Sequence, residues 1–191
     1  MSKYSIYFAY MGIMLIWNIL IFAAPLLASE GSSASSAIYA GFSPFCHQEA
    51  SRSLCLISDS SGSQSMGDCI ITGPTTIINR YTSTDARGTA YEFGVCARDV
   101  AIYMAMLLGG LCYPFVQKKI DENNTPPLWL FVLALVPIAI DGGTQYMGLR
   151  ESTNTLRLIT GAIAGFAVPF FLIPLLYYFV PVMKRALFGK Q

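Results

Sequence analysis

The chain has 191 residues, of which 54% are hydrophobic and only 12% are charged, and its formal net charge is +1. Soluble domains usually carry about 25% charged residues, so this composition indicates a protein that lies in lipid. The near-neutral charge offers no basic surface for nucleic acid, and the sequence contains no glycine motif for binding a nucleotide.

The first predicted element is an apolar segment over residues 4–28. A membrane-spanning helix needs roughly 20 mainly apolar residues, because lipid offers the backbone no hydrogen-bond partners. Lys3 precedes the segment and small residues end it, as in a secretory signal. Signal cores are only about 7–15 apolar residues long, so the longer segment favours a helix that is retained.

A long polar connection over residues 29–94 follows. Cys55 and Cys69 enclose the stretch "LISDSSGSQSMGD", which is rich in serine and glycine and has little else to order it. Disulfides persist outside the cytoplasm, so a Cys55–Cys69 bridge is predicted if the connection faces outward. Earlier in the connection, Cys46 is followed by His47, the only histidine in the sequence.

Three further spanning helices are predicted over residues 95–116, 128–149 and 158–183. None of the four apolar segments shows the strict alternation of a barrel strand. The expected fold is all-α: a polytopic four-helix transmembrane bundle that forms a single membrane domain over residues 1–191, with residues 29–94 as a long outward loop. In the last helix, "GAIAG" places Gly161 and Gly165 where they permit close helix packing, and Cys112 in the second helix is expected to be a packing residue.

The distribution of lysine and arginine predicts the orientation. With four spans the two termini share a side, and that side carries Lys3, Lys118, Lys119, Lys184, Arg185 and Lys190. The opposite side has arginines but no lysine: Arg52, Arg80, Arg87, Arg98, Arg150 and Arg157. Long loops cross a membrane largely regardless of charge, so their arginines are discounted. A plasma-membrane protein with both termini in the cytoplasm is therefore expected.

Several ionisable residues lie within the predicted spans, where each costs about 2.5–3.5 kcal/mol on insertion scales and needs a partner or a function. Asp141 and Gln145 share one helix face, and Asp141 is expected about 13 Å below Arg150 along the helix axis. In an antiparallel bundle these groups converge near the outer half with Arg98, Asp99 and Arg157. Either Arg98 or Arg157 is then a partner for Asp141. Two interpretations stay open: an ion pair that sets helix register, or an outward polar cavity with catalytic candidates Asp141, Asp99, Arg98 and Arg157.

A metal site is a further prediction. The C-x-x-D spacing puts Cys96 and Asp99 on one side of a helical turn. Together with Cys46 and His47 they supply two thiolates, an imidazole and a carboxylate, which suit zinc, copper or iron. Two alternatives stay open for the cysteines, a Cys46–Cys96 disulfide or free structural thiols.

Several motifs in a fixed order carry a family resemblance: "CHQ" with "RS" behind it, "VCARD" with "IY" behind it, "IDGGTQ" and "LRESTNTLRLITGAIAG". They resemble a family of prokaryotic predicted membrane proteins, domain of unknown function 2085, with residues 57–93 as an insertion. Members often carry a cysteine where this chain has Asp99. The resemblance implies no named activity, but it implies a shared polar site of Cys46, His47, Arg52, Cys96, Arg98, Asp99, Asp141, Gln145, Asn154 and Arg157.

Three functions stay open from the sequence. The first is a non-enzymatic subunit of a larger membrane complex, of respiratory or metal-dependent oxidoreductase type, whose outer site holds a metal or a structural disulfide. The second is an enzyme at the outer leaflet that acts on a lipid or a quinone, with Asp141 or Asp99 as acid–base group or with Cys46 and Cys96 as a redox pair. The third is a small transporter, because an acidic group in the membrane is compatible with ion coupling.

Overall fold

The computed structural model describes residues 4–46, 48–69, 76–79, 81–85, 87–117 and 125–189. Four helices in this part of the chain are long and apolar enough to cross a membrane. Their bounds are α1 (Ser5–Ser29), α3 (Ala97–Val116), α4 (Leu128–Tyr146) and α5 (Asn154–Phe188), and a shorter helix α2 (Ala34–Phe42) follows α1. The chain is therefore mostly helical, as its composition predicts.

Helices α1 and α3 run antiparallel and are joined by polar side chains that bind backbone carbonyls. The Tyr7 hydroxyl donates to the carbonyl of Gly110 at 3.1 Å, and the Tyr10 hydroxyl donates to that of Met106 at 3.1 Å. Such bonds satisfy polar groups that lipid would leave without partners.

Helices α3 and α5 run parallel and approach closely at glycines. A Cβ added to Gly165 would lie 2.3 Å from the carbonyl oxygen of Ile102, and one added to Gly161 would lie 2.6 Å from that of Arg98. Both positions therefore exclude any larger residue, in agreement with the packing face predicted from "GAIAG".

Residues 29–94 correct the all-α expectation. Besides α2, this segment contains a 3-10 turn (Ala50–Arg52) and, among its described residues, five strands: β1 (Leu54–Ser58), β2 (Gln64–Asp68), β3 (Thr76–Asn79), β4 (Thr82–Asp85) and β5 (Gly88–Glu92). They form one antiparallel sheet in the order β2-β1-β5-β4-β3. Each strand has four or five residues, which is too short for an alternating pattern to stand out.

The predicted Cys55–Cys69 disulfide is confirmed. It joins β1 to the residue that follows β2, with the two Cα atoms 5.1 Å apart. Both sulfurs are buried in a small cluster with Ile57 and Ala90. The bridge thus fastens the edge strand β2 to its neighbour β1.

The ends of α4 and α5 differ from the predicted spans. Helix α4 ends at Tyr146 rather than near residue 149, because Gly148 adopts φ +69° and the N–H of Leu149 bonds the carbonyl of Thr144 at 3.0 Å. Helix α5 begins at Asn154 rather than near residue 158. Its N-cap is Thr153, whose side chain accepts the N–H of Leu156 at 3.3 Å.

Candidate metal centre

Three of the four predicted metal ligands meet at the start of α3. Cys96 is the N-cap residue of α3, Asp99 lies in its first turn, and Cys46 follows α2. One ligand atom from each lies within 4.8 Å of the other two. The Cys96 thiol donates to Asp99 Oδ2 at 3.0 Å, and Cys46 Sγ accepts the N–H of Cys96 at 3.2 Å. The fourth predicted ligand, His47, lies outside the described residues.

The thiol of Cys46 is not joined to that of Cys96; the structure has both as free cysteines. Contact with the Cys96 thiol lowers the pKa of Cys46, and the N–H groups of Gln48 and Cys96 act in the same direction against burial. The contact with Cys46, burial and the neighbouring Asp99 raise the pKa of Cys96. Of the two thiols, Cys46 therefore loses its proton more readily, beside the positive end of the α3 dipole.

Gln48 positions Cys46, a role that the residue pattern alone does not predict. Its side-chain amide donates to the carbonyls of Tyr39 and Gly94, both at 2.9 Å, and accepts the hydroxyl of Tyr81 at 3.1 Å. Its backbone has φ +50°, and its N–H faces Cys46 Sγ at 3.5 Å. Gln48 thereby ties the segment after α2 to the segment that leads into α3. Its place in the "CHQ" motif was the only sequence signal for this role.

Replacing Gln48 by alanine is expected to lower the free energy of unfolding by about 1–3 kcal/mol, the usual cost of a buried polar group without a partner. The carbonyl of Gly94 would lose its side-chain donor, whereas that of Tyr39 keeps the N–H of Ser43. Thermal unfolding in detergent measures the effect. The matched control is Gln64→Ala on the exposed surface of β2, which should change stability little; equal melting temperatures for both variants would contradict this role.

A second polar cluster surrounds Asp141, which is 1% exposed. Arg98 Nη2 lies 2.5 Å from Asp141 Oδ2, so the predicted Arg98 pair is present. Arg150 Nη2 contacts Asp141 Oδ1 at 2.9 Å, which corrects the expected separation of these two residues. The correction follows from the early end of α4, after which the long arginine side chain reaches back. Gln145 accepts from Arg98 at 3.5 Å, and Thr160 donates to Asp141 at 3.5 Å.

Arg157 and Asn154 serve a different contact. Arg157 is 4% exposed and donates to Asn154 Oδ1 at 2.8 Å and to the carbonyl of Ser51 at 3.4 Å, not to Asp141. Asn154 Nδ2 in turn donates to Asp68 Oδ1 at 2.9 Å and to the carbonyl of Ser53 at 3.1 Å. These two residues fasten the start of α5 to the sheet.

Arg52 belongs neither to the Cys46–Cys96–Asp99 cluster nor to the Asp141 cluster. Half of its side chain is exposed, and it pairs with Glu49 at 3.3 Å. The shared polar site implied by the resemblance is therefore divided into three neighbouring groups of residues. These are the Cys46–Cys96–Asp99 cluster, the Asp141 ion cluster, and the contact between α5 and the sheet.

The length of α3 indicates the depth of these groups. Its 20 residues extend about 30 Å, the thickness of a hydrocarbon core. If α3 fills that core, Cys96 lies at the boundary on the side of the sheet. Asp141, which contacts Arg98 in the first turn of α3, then lies just inside the boundary rather than deep in the membrane.

The apolar helices and the disulfide-bridged sheet at one end define a multi-pass membrane protein. A profile of the predicted membrane protein family DUF2085 matches residues 88–171. An uncharacterized protein of Methanocaldococcus jannaschii is 35% identical over 169 residues, covering 85% of this chain and 87% of that protein. The chain therefore belongs to the DUF2085 family, as its motifs predict.

A second archaeal relative matches a shorter part of the chain. An uncharacterized protein of Methanothermobacter thermautotrophicus is 43% identical over 76 residues, covering 39% of this chain and 65% of that protein. No solved structure matches. The part of this chain that matches the family contains Cys96, Asp99 and Asp141 and begins after Cys46.

Proposed function

We propose that this chain is a metal-holding membrane protein in which Cys46, Cys96 and Asp99 bind one transition-metal ion at the membrane boundary. The observation that carries the proposal is the approach of their ligand atoms to within 4.8 Å of one another. Two segments far apart in sequence supply these atoms, so the fold itself assembles the site.

The donor set and its spacing suit a tetrahedral ion. Zinc–sulfur bonds of about 2.3 Å place tetrahedral ligand atoms about 3.8 Å apart. The present separations need only a small adjustment to reach this value. Metal binding would release the proton that Cys96 now donates to Asp99, together with the thiol proton of Cys46, because thiol ligands bind as thiolates. A fourth position is left for His47 or for water.

The charge around the site favours a metal ion whose ligands give the complex a net negative charge. Two thiolates and a carboxylate around a divalent ion leave a net charge of about −1. Arg157 is buried, interacts electrostatically with both Cys96 and Asp141, and makes no direct ion pair with a carboxylate in the described part of the chain. Its guanidinium would balance that charge as an outer-shell group.

We further propose that the chain is a subunit of a larger membrane complex and that the site faces outward. The outward orientation is supported by the lysines on the terminal side and by the Cys55–Cys69 disulfide. The subunit role is supported by α4, all of which is described and in which Asp141 is the one buried residue. The face of α4 that does not pack on α5 is open to lipid or to neighbouring subunits.

The contacts of Asp141 do not favour the enzyme or transporter alternatives that depend on it. An acid–base or ion-coupling carboxylate must exchange a proton or an ion. Two guanidinium groups and Thr160 already hold both oxygens of Asp141. We therefore assign Asp141 to structure.

A zinc titration of the purified protein tests the proposal. After metal removal, the protein competes with a chromophoric chelator for zinc, and we expect one bound ion per chain. Cys46→Ser and Cys96→Ser should each lower the affinity by more than the roughly 10–100-fold typical of outer-shell changes. Cys112→Ser, at a half-buried position on α3, is the matched control and should bind normally.

Two further arms complete the experiment. A drop in affinity with His47→Ala would identify the imidazole as the fourth ligand, and no change would assign that position to water. If the wild-type protein binds zinc no better than the cysteine variants, copper(I) and iron(II) are titrated in the same way. Failure with all three ions would overturn the proposal.

A further inference from the structure

We propose that the groove between α1 and α2 holds one hydrocarbon chain of a membrane lipid. The groove has a volume of about 330 Å³ and its lining is apolar, with Trp17 and Leu20 from α1, Ile38 and Phe42 from α2, and Phe45 beyond α2. This inference goes beyond the proposed metal site and does not depend on it.

The groove exists because α2 folds back along the second half of α1. The Trp17 ring meets the rings of Phe42 and Phe45 edge to face, with centroids 5.0 and 5.3 Å apart. Trp17 lies 12 residues before the end of α1, which is about 18 Å along the helix axis. The aromatic floor of the groove therefore lies well below the end of α1.

The depth of the floor can also be measured from α3. The ring of Trp17 contacts the ring of Tyr103 with centroids 5.6 Å apart. Tyr103 lies six residues inside α3, whose first residue is Ala97, so its backbone is about 9 Å below the start of α3. The side chain of Asn18, which follows Trp17, donates to the carbonyl of Tyr103 at 3.1 Å and so places the backbone of Trp17 at a similar depth. At that depth the surrounding medium is hydrocarbon rather than lipid headgroups.

Continuity with the lipid-facing surface of α1 identifies the occupant. Leu20 is 37% exposed, and Ile16 and Ile19 beside it are more than half exposed, so the groove opens onto an apolar helix face. Water needs two to four polar partners to occupy a cavity, and this lining offers almost none. The molecule that a bilayer supplies at such an opening is a lipid chain. The volume, near the lower end of the roughly 300–1,000 Å³ range of ligand pockets, fits part of a single chain.

The groove also shares a wall with the candidate metal centre. Phe42 and Cys46 belong to one buried cluster, against which Trp17 and Cys96 pack. An occupied groove would support the aromatic residues that precede Cys46 in the chain.

Tryptophan fluorescence tests the inference directly, because the chain has two tryptophans. In a Trp129→Phe background Trp17 is the only reporter, and the protein is reconstituted into vesicles containing phospholipid with brominated chains, which quench tryptophan on contact. We expect strong quenching of Trp17. Gly41→Leu should abolish most of it by filling the groove, since Gly41 lines the groove and an added Cβ there meets nothing within 4 Å.

The matched control is Gly12→Leu, which also has open space on α1 but does not line the groove; quenching should persist. Melting temperature and thiol count confirm that both variants fold, and Ala37→Leu provides a second way to fill the groove. Equal quenching in the groove-filling variants and the control would overturn the inference. Absence of quenching in every variant would overturn it too, and a Trp17 emission that then depends on the protein-to-lipid ratio would point to a second copy of the chain as occupant.

Discussion

Replacing Asp141 by alanine is expected to lower the free energy of unfolding by about 3–5 kcal/mol, the usual cost of breaking a buried ion pair from one side. The carboxylate is the shared partner of Arg98 and Arg150, and it joins α4 to α3. Without it, two guanidinium groups would face each other at the membrane boundary. The side chains of Arg98 and Arg150 are 22% and 40% exposed, so solvent screening places the expected loss at the lower end of that range.

Unfolding of the detergent-solubilised protein by denaturant measures this loss. Glu151→Ala, an exposed acidic residue close in sequence, is the control and should stay within about 0.5 kcal/mol of the wild type. The double variant Asp141→Ala/Arg98→Met should be more stable than Asp141→Ala alone, because it removes one of the two charges left without a partner. If Asp141→Ala is as stable as Glu151→Ala, Asp141 does not hold the helices together.

Removal of the Cys55–Cys69 disulfide is expected to destabilise the sheet by about 3 kcal/mol, the value that loop-closure entropy gives for a bridge across roughly 15 residues. The two cysteines are 14 residues apart and both are buried. The double variant Cys55→Ala/Cys69→Ala avoids leaving a single reactive thiol. Amide hydrogen exchange of β1 and β2 measures the effect, because strand amides should exchange faster when the bridge is absent.

The faster amide exchange should be confined to the sheet. Amides of α3 and α5, which pack against each other through Gly161 and Gly165, should keep their protection. Cys112→Ser is the control for loss of a cysteine that the structure leaves unbridged. Unchanged exchange in β1 and β2 of the double variant would mean that sheet pairing alone determines their stability.

The spanning helices were predictable because hydrocarbon forces long apolar runs, and such runs are visible in any window of the sequence. The sheet was not, because strands such as "LCLIS" and "QSMGD" are only five residues long and share no hydrophobic pattern. Their pairing depends on partners elsewhere in the chain: Cys55 lies opposite Glu92 across β1 and β5. A single sequence contains no local pattern for such a contact.

The candidate site, too, was only partly predictable from the sequence. The Arg98–Asp141 pair and the approach of Cys46 to Cys96 followed from the cost of burying such groups and from the helix order. The role of Arg150 did not, because it depends on a helix that ends three residues before the predicted boundary. Gln48 escaped notice because an uncharged amide carries no strong chemical signal, although its bonds to Tyr39 and Gly94 bring the two cysteine segments together.

Elemental analysis combined with a thiol count tests the metal proposal most directly. The protein is purified without chelators, its bound metals are quantified, and its thiols are titrated after the metal is released. The account predicts one transition-metal ion per chain and three reactive thiols, from Cys46, Cys96 and Cys112. No metal together with a single reactive thiol would show that Cys46 and Cys96 form a second disulfide, and would contradict the account.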